Sequence, residues 1–142
     1  MRIDALVVIR GGGDLASGVA FRLFRAGFDV AITEIREPTA VRRTVSFAEA
    51  IYAGETTVEG IRACRAASHR EALQLLEQGL VPVLVDPKAK CIQRLQPRAV
   101  VDGIMAKRNT GTSINDAPVV IGLGPGFTAG LDCHAVIETN RG

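Results

Sequence analysis

A continuous apolar run, Ala5-Leu6-Val7-Val8-Ile9, stands almost directly before three consecutive glycines, Gly11, Gly12 and Gly13. Polar residues do not alternate within it, so it predicts a strand, residues 3–9, buried on both faces as in a parallel sheet. After the glycines, Leu15, Val19 and Leu23 recur at helical spacing, flanked by Ala16, Ala20 and Phe24, with Arg22 and Arg25 opposite. Gly27 stops that helix as a C′ residue would. Residues 28–35, rich in β-branched side chains, follow as a second strand. Strand, glycine turn, helix and strand make a βαβ unit with a right-handed crossover. The expected fold class is α/β and Rossmann-like: a mostly parallel sheet flanked by helices, with a small hairpin insertion.

Later segments carry weaker signals. Pro38-Thr39 opens an expected helix through Tyr52, with Val41, Val45, Ala48 and Ile51 on one side. Val58-Glu59-Gly60-Ile61 predicts a two-residue hairpin turn. Ser68 and Glu71 form a capping box for a helix that Gly79 closes. Residues 81–85 read as a strand, which Pro82 places at a sheet edge or a strand start because it lacks an amide donor. Asp86-Pro87 suits the cap and first position of a short helix ending before Pro97. Residues 99–102, 119–121 and 135–138 complete the strands. The 142 residues contain no linker, low-complexity stretch or charge block, so a single domain, 1–142, is expected.

Charge and cysteine content narrow the function classes. Net charge is +2 with no basic stripe, which argues against nucleic acid and a membrane surface as partners. The opening apolar run is closed by Arg10, short of the roughly 7–15 residues of a secretory core and the roughly 20 of a membrane span. Cys64, Cys91 and Cys133 form no C-x-x-C pair, so neither a disulfide framework nor a metal site is expected. A reduced, cytoplasmic protein is the reading.

The chemistry centres on Gly11-x-Gly13-x-x-Ala16, placed between a buried strand and a helix as a dinucleotide fingerprint requires. Gly11 would allow the tight turn, Gly13 would admit a pyrophosphate to the backbone, and Ala16 would keep helix and sheet close. The cofactor-binding set is Gly11, Gly12, Gly13, Asp14, Leu15 and Ala16, with helix-start amides facing phosphate. Glu34, at the end of the second strand, is placed to bind ribose hydroxyls, which favours NAD; Arg36 keeps NADP open. Asp14 repels phosphate, so it either caps the helix and points away or signals a different ligand. The plain alternative is a tight turn without a ligand.

Gly122-x-Gly124-Pro125-Gly126 also follows a buried strand and offers amides for an anion. The long loop 103–118 carries Lys107, Arg108 and Asn109. With Gly124 and Gly126 these make a candidate anion or substrate loop, a solvated surface loop being the alternative. Cys133 and His134 are adjacent, but neighbours in a strand face opposite ways, so Cys133 is a weak catalytic candidate beside the simpler reading of a core thiol.

Four stretches, residues 8–18 (VIRGGGDLASG), 40–50 (AVRRTVSFAEA), 105–109 (MAKRN) and 120–142 (VIGLGPGFTAGLDCHAVIETNRG), resemble the selenium-dependent molybdenum hydroxylase accessory proteins of YqeB type. The resemblance implies a Rossmann-like part and a role in maturing such hydroxylases, with a molybdenum hydroxylase as partner. Members of that family continue further, so a fragment or short form is implied, without the C-terminal region. The combined expectation is an accessory protein binding NAD, NADP or a related phosphate ligand at residues 11–16. Two rivals stand beside it. One is an NAD-dependent oxidoreductase, for which Asp102, Cys133 and His134 are the acid–base candidates. The other is a non-catalytic module that delivers or protects a cofactor.

Overall fold

The computed structural model describes residues 5–40 and 42–138. Ile3 of the expected first strand, Val41 of the expected 38–52 helix and the tail of the YqeB-like stretch, 139–142, lie outside the described residues.

Eight strands form one sheet: β1 (Leu6–Arg10), β2 (Asp29–Glu34), β3 (Glu55–Val58), β4 (Ile61–Ala66), β5 (Val81–Val85), β6 (Ala99–Asp102), β7 (Val119–Leu123) and β8 (Ala135–Ile137). The spatial order is β3-β4-β5-β2-β1-β6-β7-β8. Every neighbouring pair is parallel except β3 with β4. The helices are α1 (Asp14–Arg25), α2 (Ala50–Ala53), α3 (His69–Glu77) and α4 (Ile92–Leu95). The chain starts at the sheet centre, builds outward through β2 on one side, then returns to lay down β6, β7 and β8 on the other. Its direction therefore reverses between β1 and β6, where loops leave the carboxyl ends in opposite senses and open a crevice. This is the Rossmann-like α/β architecture expected from the opening segment.

Strand alternation divides the core in two. Val7, Ile9, Val30 and Ile32 pack with Ala16 and Ala20 of α1, and with Phe47 and Ile51. Val8, Ala31, Val100 and Val120 pack on the other face with Ala72, Ile92 and Leu95. Both faces of the central strands are covered, which is why β1 and β2 read as unbroken apolar runs.

The hairpin joins β3 to β4 with Val58 opposite Ile61; Glu59 (φ 51°) and Gly60 (φ 80°) supply the two left-handed positions of a type I′ turn. Ser68 caps α3 by accepting from the Glu71 amide at 3.2 Å. Two expectations need correction. Residues 38–52 are not one helix but two 3-10 turns, Arg43–Val45 and Phe47–Glu49, followed by α2. The cause is competition for donors: the Ala48 amide bonds the Gly12 carbonyl at 2.9 Å and the Phe47 amide bonds Ser17 Oγ at 2.8 Å, so neither closes a helical turn. Strand β5 is interior, between β4 and β2, and Pro82 stands at its start, the second of the two places expected for it. Pro82 fits because pairing with β2 begins only at Val83, so no donor is required of it on that side. The short helix before Pro97 also starts later than expected, at Ile92, while the Asp86 carboxylate holds the amides of Lys90 and Cys91. Among the described residues, no helix is long and apolar enough to cross a membrane.

The crevice depends on close backbone approach. Gly11 adopts φ +94°, and a Cβ there would stand 3.1 Å from the Gly103 carbonyl carbon; a Cβ on Gly103 would stand 2.8 Å from Ala16 Cβ. Gly103→Ala must therefore push α1 away from the sheet, and is expected to lower unfolding free energy by about 1–3 kcal/mol, read by urea denaturation.

Candidate functional site

A cleft of about 320 Å³ lies at the carboxyl ends of β1, β2, β5 and β6, at the point where the chain reverses direction. Its floor is the glycine turn and the start of α1, contributed by Gly11, Gly13, Asp14, Leu15 and Ala16. One wall comes from Thr33, Glu34, Ile35 and residues 38–40, another from Asp86 and Pro87, and the third from Gly103, Ile104 and Met105.

The amides of the turn divide into two groups. Gly11 donates to the Thr33 carbonyl at 2.8 Å, and Gly12 donates to Glu34 Oε2 at 2.8 Å. Both are already used. Among the described residues, the amides of Gly13, Asp14, Leu15 and Ala16 have no protein acceptor, since the first intrahelical bond runs from Ser17 to Gly13 O. Gly13 itself has ordinary backbone angles (φ −68°, ψ −178°), and a Cβ added to it would meet nothing within 4 Å. The protein does not need a glycine there for its own packing. The space above Gly13 opens on the cleft.

The remaining sequence candidates are placed unevenly. Gly12 faces inward: a Cβ would meet the Ala48 amide at 3.1 Å and Ile32 at 3.2 Å. Glu34 lines the cleft but holds the Gly12 amide with one oxygen and the Ile35 amide, at 2.9 Å, with the other, so its first task is to brace the turn. Asp14 is not the helix cap. Gly13 holds that position without a side-chain bond, and Asp14 is the exposed first residue of α1, where its charge suits the helix dipole. Asp14, Glu34 and Asp86 put three carboxylates on the cleft, and among the described residues no Lys, Arg or His lines it. Arg36 is exposed and is not among them.

None of Lys107, Arg108, Asn109, Gly124 and Gly126 lines the cleft, although Gly124 lies against Met105 of its third wall. A Cβ on Gly126 would meet Arg108 Cα at 2.5 Å, so turn and loop are in backbone contact. Asn109 is spent on its own loop: its Oδ1 accepts from Gly111 and Thr112, and its Nδ2 donates to the Thr112 carbonyl at 2.8 Å. Cys133 is fully buried in the second core cluster. His134 is exposed, and its Nδ1 accepts the Val120 amide at 2.9 Å. Thiol and imidazole thus serve different neighbours. None of the three cysteines lines the cleft.

One cluster was not anticipated. Arg10 and Asp102, each about 2% exposed or less, lie in register at the ends of β1 and β6. Arg10 Nη1 donates to Thr112 Oγ1 at 2.7 Å, and that hydroxyl donates to Asp102 Oδ2 at 2.5 Å. The pattern that reveals it is a charge ending each apolar strand directly before a glycine, Arg10-Gly11 and Asp102-Gly103.

Fold and cleft together define a Rossmann-like α/β protein with a glycine-turn crevice at its switch point. The chain is 59% identical over 137 residues, 96% of its length, to the Escherichia coli (strain K12) protein named "Uncharacterized protein YqeB", and is thus similar to the YqeB-type proteins that its motifs resemble. It spans only 25% of that relative's length. No family model and no solved structure matches the chain.

Burial beside the Asp86 carboxylate raises the Cys91 thiol from its ordinary 9.0 to about 12. Between these values the folded chain keeps a proton that the unfolded chain has lost, so stability is full below pH 9 and falls as pH rises toward 12. Urea midpoints should drop between pH 8 and 10.5, and the Cys91→Ala variant should show a shallower drop.

Proposed function

We propose that this chain is the nucleotide-binding module of a YqeB-type accessory protein, acting in the maturation of selenium-dependent molybdenum hydroxylases and taking a dinucleotide at residues 11–16. The observation that carries the nucleotide reading is Gly13: a glycine unneeded by the fold, over four unclaimed amides, at the mouth of a cleft. Backbone amides at a helix start recognise a phosphate without a cationic side chain. The cleft volume falls within the roughly 300–1,000 Å³ usual for small-molecule sites.

The wall chemistry favours NAD over NADP. Three carboxylates and, among the described residues, no lining cation disfavour an additional phosphate, whereas the free lone pairs of Glu34 suit ribose hydroxyls. Asp14 flanks the phosphate position and limits the tolerated negative charge. The hydroxylase role rests on the likeness to YqeB-type proteins, and the docking partner would be such a hydroxylase or its cofactor.

A binding module is favoured over an oxidoreductase by one observation. The acid–base candidates Asp102, Cys133 and His134 all lie off the cleft lining. Asp102 is committed to Thr112 and to the Ile104 amide.

Calorimetric titration with NAD, NADP and ATP tests the reading. NAD should bind, NADP at least tenfold more weakly, and Gly13→Val should weaken NAD binding at least tenfold while costing at most about 1 kcal/mol of stability as a poorer cap. Absence of binding at millimolar NAD, or equal binding by the Gly13→Val variant, overturns it.

A further inference from the structure

We infer that the buried Arg10–Thr112–Asp102 relay is the positioning group of the cleft, holding its third wall in place without touching a ligand. The inference rests on the nucleotide reading only for what the cleft takes; the wall itself is a matter of geometry. Loop 103–118 contains no helix or strand, yet its first residues, Gly103, Ile104 and Met105, form that wall. Met105 (φ 61°) and Lys107 (φ 66°) both sit in the left-handed region, which side chains other than glycine enter only when their surroundings impose it. Something must hold the segment there.

The relay reaches each wall of the crevice except the one carrying Glu34. Asp102 Oδ1 accepts the Ile104 amide at 3.0 Å, which fixes the loop where it leaves β6. Its Oδ2 takes the Thr112 hydroxyl, which pins the far end of the same segment. Arg10 Nη1 donates to that hydroxyl, while Nη2 donates to the Thr110 carbonyl at 3.4 Å and to the Pro87 carbonyl at 3.1 Å. Pro87 belongs to the second wall, and Arg10 itself precedes Gly11 of the floor. One guanidinium therefore ties floor and two walls together.

The arrangement is a poor source of raw stability. Arg10 Nε is buried without a hydrogen-bond partner, and Nη1 stands 3.9 Å from Asp102 Oδ2 with the hydroxyl between them. A buried ion pair so incompletely satisfied is commonly matched or bettered by apolar packing. What apolar packing could not do is address three acceptors in fixed directions, which a planar fork does. Cleft occupancy and order of the 103–112 segment are then linked: a ligand against Ile104 and Met105 binds the ordered loop, and releasing the relay weakens the ligand.

Hydrogen exchange read by mass spectrometry on the ligand-free chain tests the clamp directly. Thr112→Val, which removes the hydroxyl, should speed exchange of amides in 104–112 at least tenfold and leave β1, β2 and β6 at wild-type rates. Thr112→Ser, which keeps the hydroxyl, should restore protection. Arg10→Lys keeps a buried charge beside Asp102 but cannot span the same acceptors, and should loosen the same segment. NAD affinity should fall at least tenfold in Thr112→Val and recover in Thr112→Ser. Unchanged exchange in the loop overturns the inference, as does acceleration spread evenly over the sheet. If the wild-type chain binds no NAD, the nucleotide reading fails, while the exchange arm still decides the clamp.

Discussion

The site depends on the way one residue, Gly12, is wired at both ends of its peptide unit. Its amide is held by Glu34 at the end of β2. Its carbonyl accepts Ser17 Oγ at 3.1 Å, Ser46 Oγ at 2.5 Å and the Ala48 amide. These bonds join the second strand, the first helix and the 46–48 turn to a single point on the glycine loop. The loop is tied down for that reason, and among the described residues nothing claims the amides of the next four residues. A phosphate site built on backbone needs that division of labour: some peptides fully satisfied so that others stay unsatisfied in a fixed place.

A second layer of order comes from the centre of the sheet. β1 and β6 are the strands between which the chain changes direction, and both end in buried charges of opposite sign, Arg10 and Asp102. Beyond them, glycines at 11 and 103 let the two backbones pass within contact distance. The crevice is thus narrow at its root and polar beneath, and its lining sets free amides and carboxylates among apolar side chains such as Leu15, Ile35, Ile104 and Met105. For the dinucleotide proposed above, such a surface would select by hydrogen bonding and by limiting negative charge, unlike the cation-rich pockets that hold polyphosphates.

The parts of the fold legible in the sequence are those set by neighbours along the chain. The apolar run to Ile9, the Glu59-Gly60 turn and the Ser68–Glu71 cap each carry their signal within a few residues, and each has the form expected of it. Residues 38–52 failed as a helix because the acceptor that captures the Ala48 amide lies on Gly12, remote in sequence. Pro82 was legible as a residue of a strand start, which is its place in β5, where the ladder with β2 has not begun. At the site, Gly13 and Ala16 could be placed from spacing alone. Glu34 could be placed as well, but not its bond to Gly12. The walls at Asp86, Pro87, Ile104 and Met105 come from two different crossovers, and only the assembled sheet brings them together. Asn109 looked like a ligand donor because its residue type is one, yet its own loop consumes it.

The outermost strand is fastened in an unusual manner. Before β8 takes up its ladder with β7, the ring of His134 supplies the acceptor for the Val120 peptide, and the His134 amide returns a bond of 2.7 Å to the Val120 carbonyl. A ring nitrogen can do this only while bare, so the neutral imidazole must carry its hydrogen on Nε2. The seam along that margin of the sheet is accordingly begun by a side chain and a peptide together rather than by peptides alone.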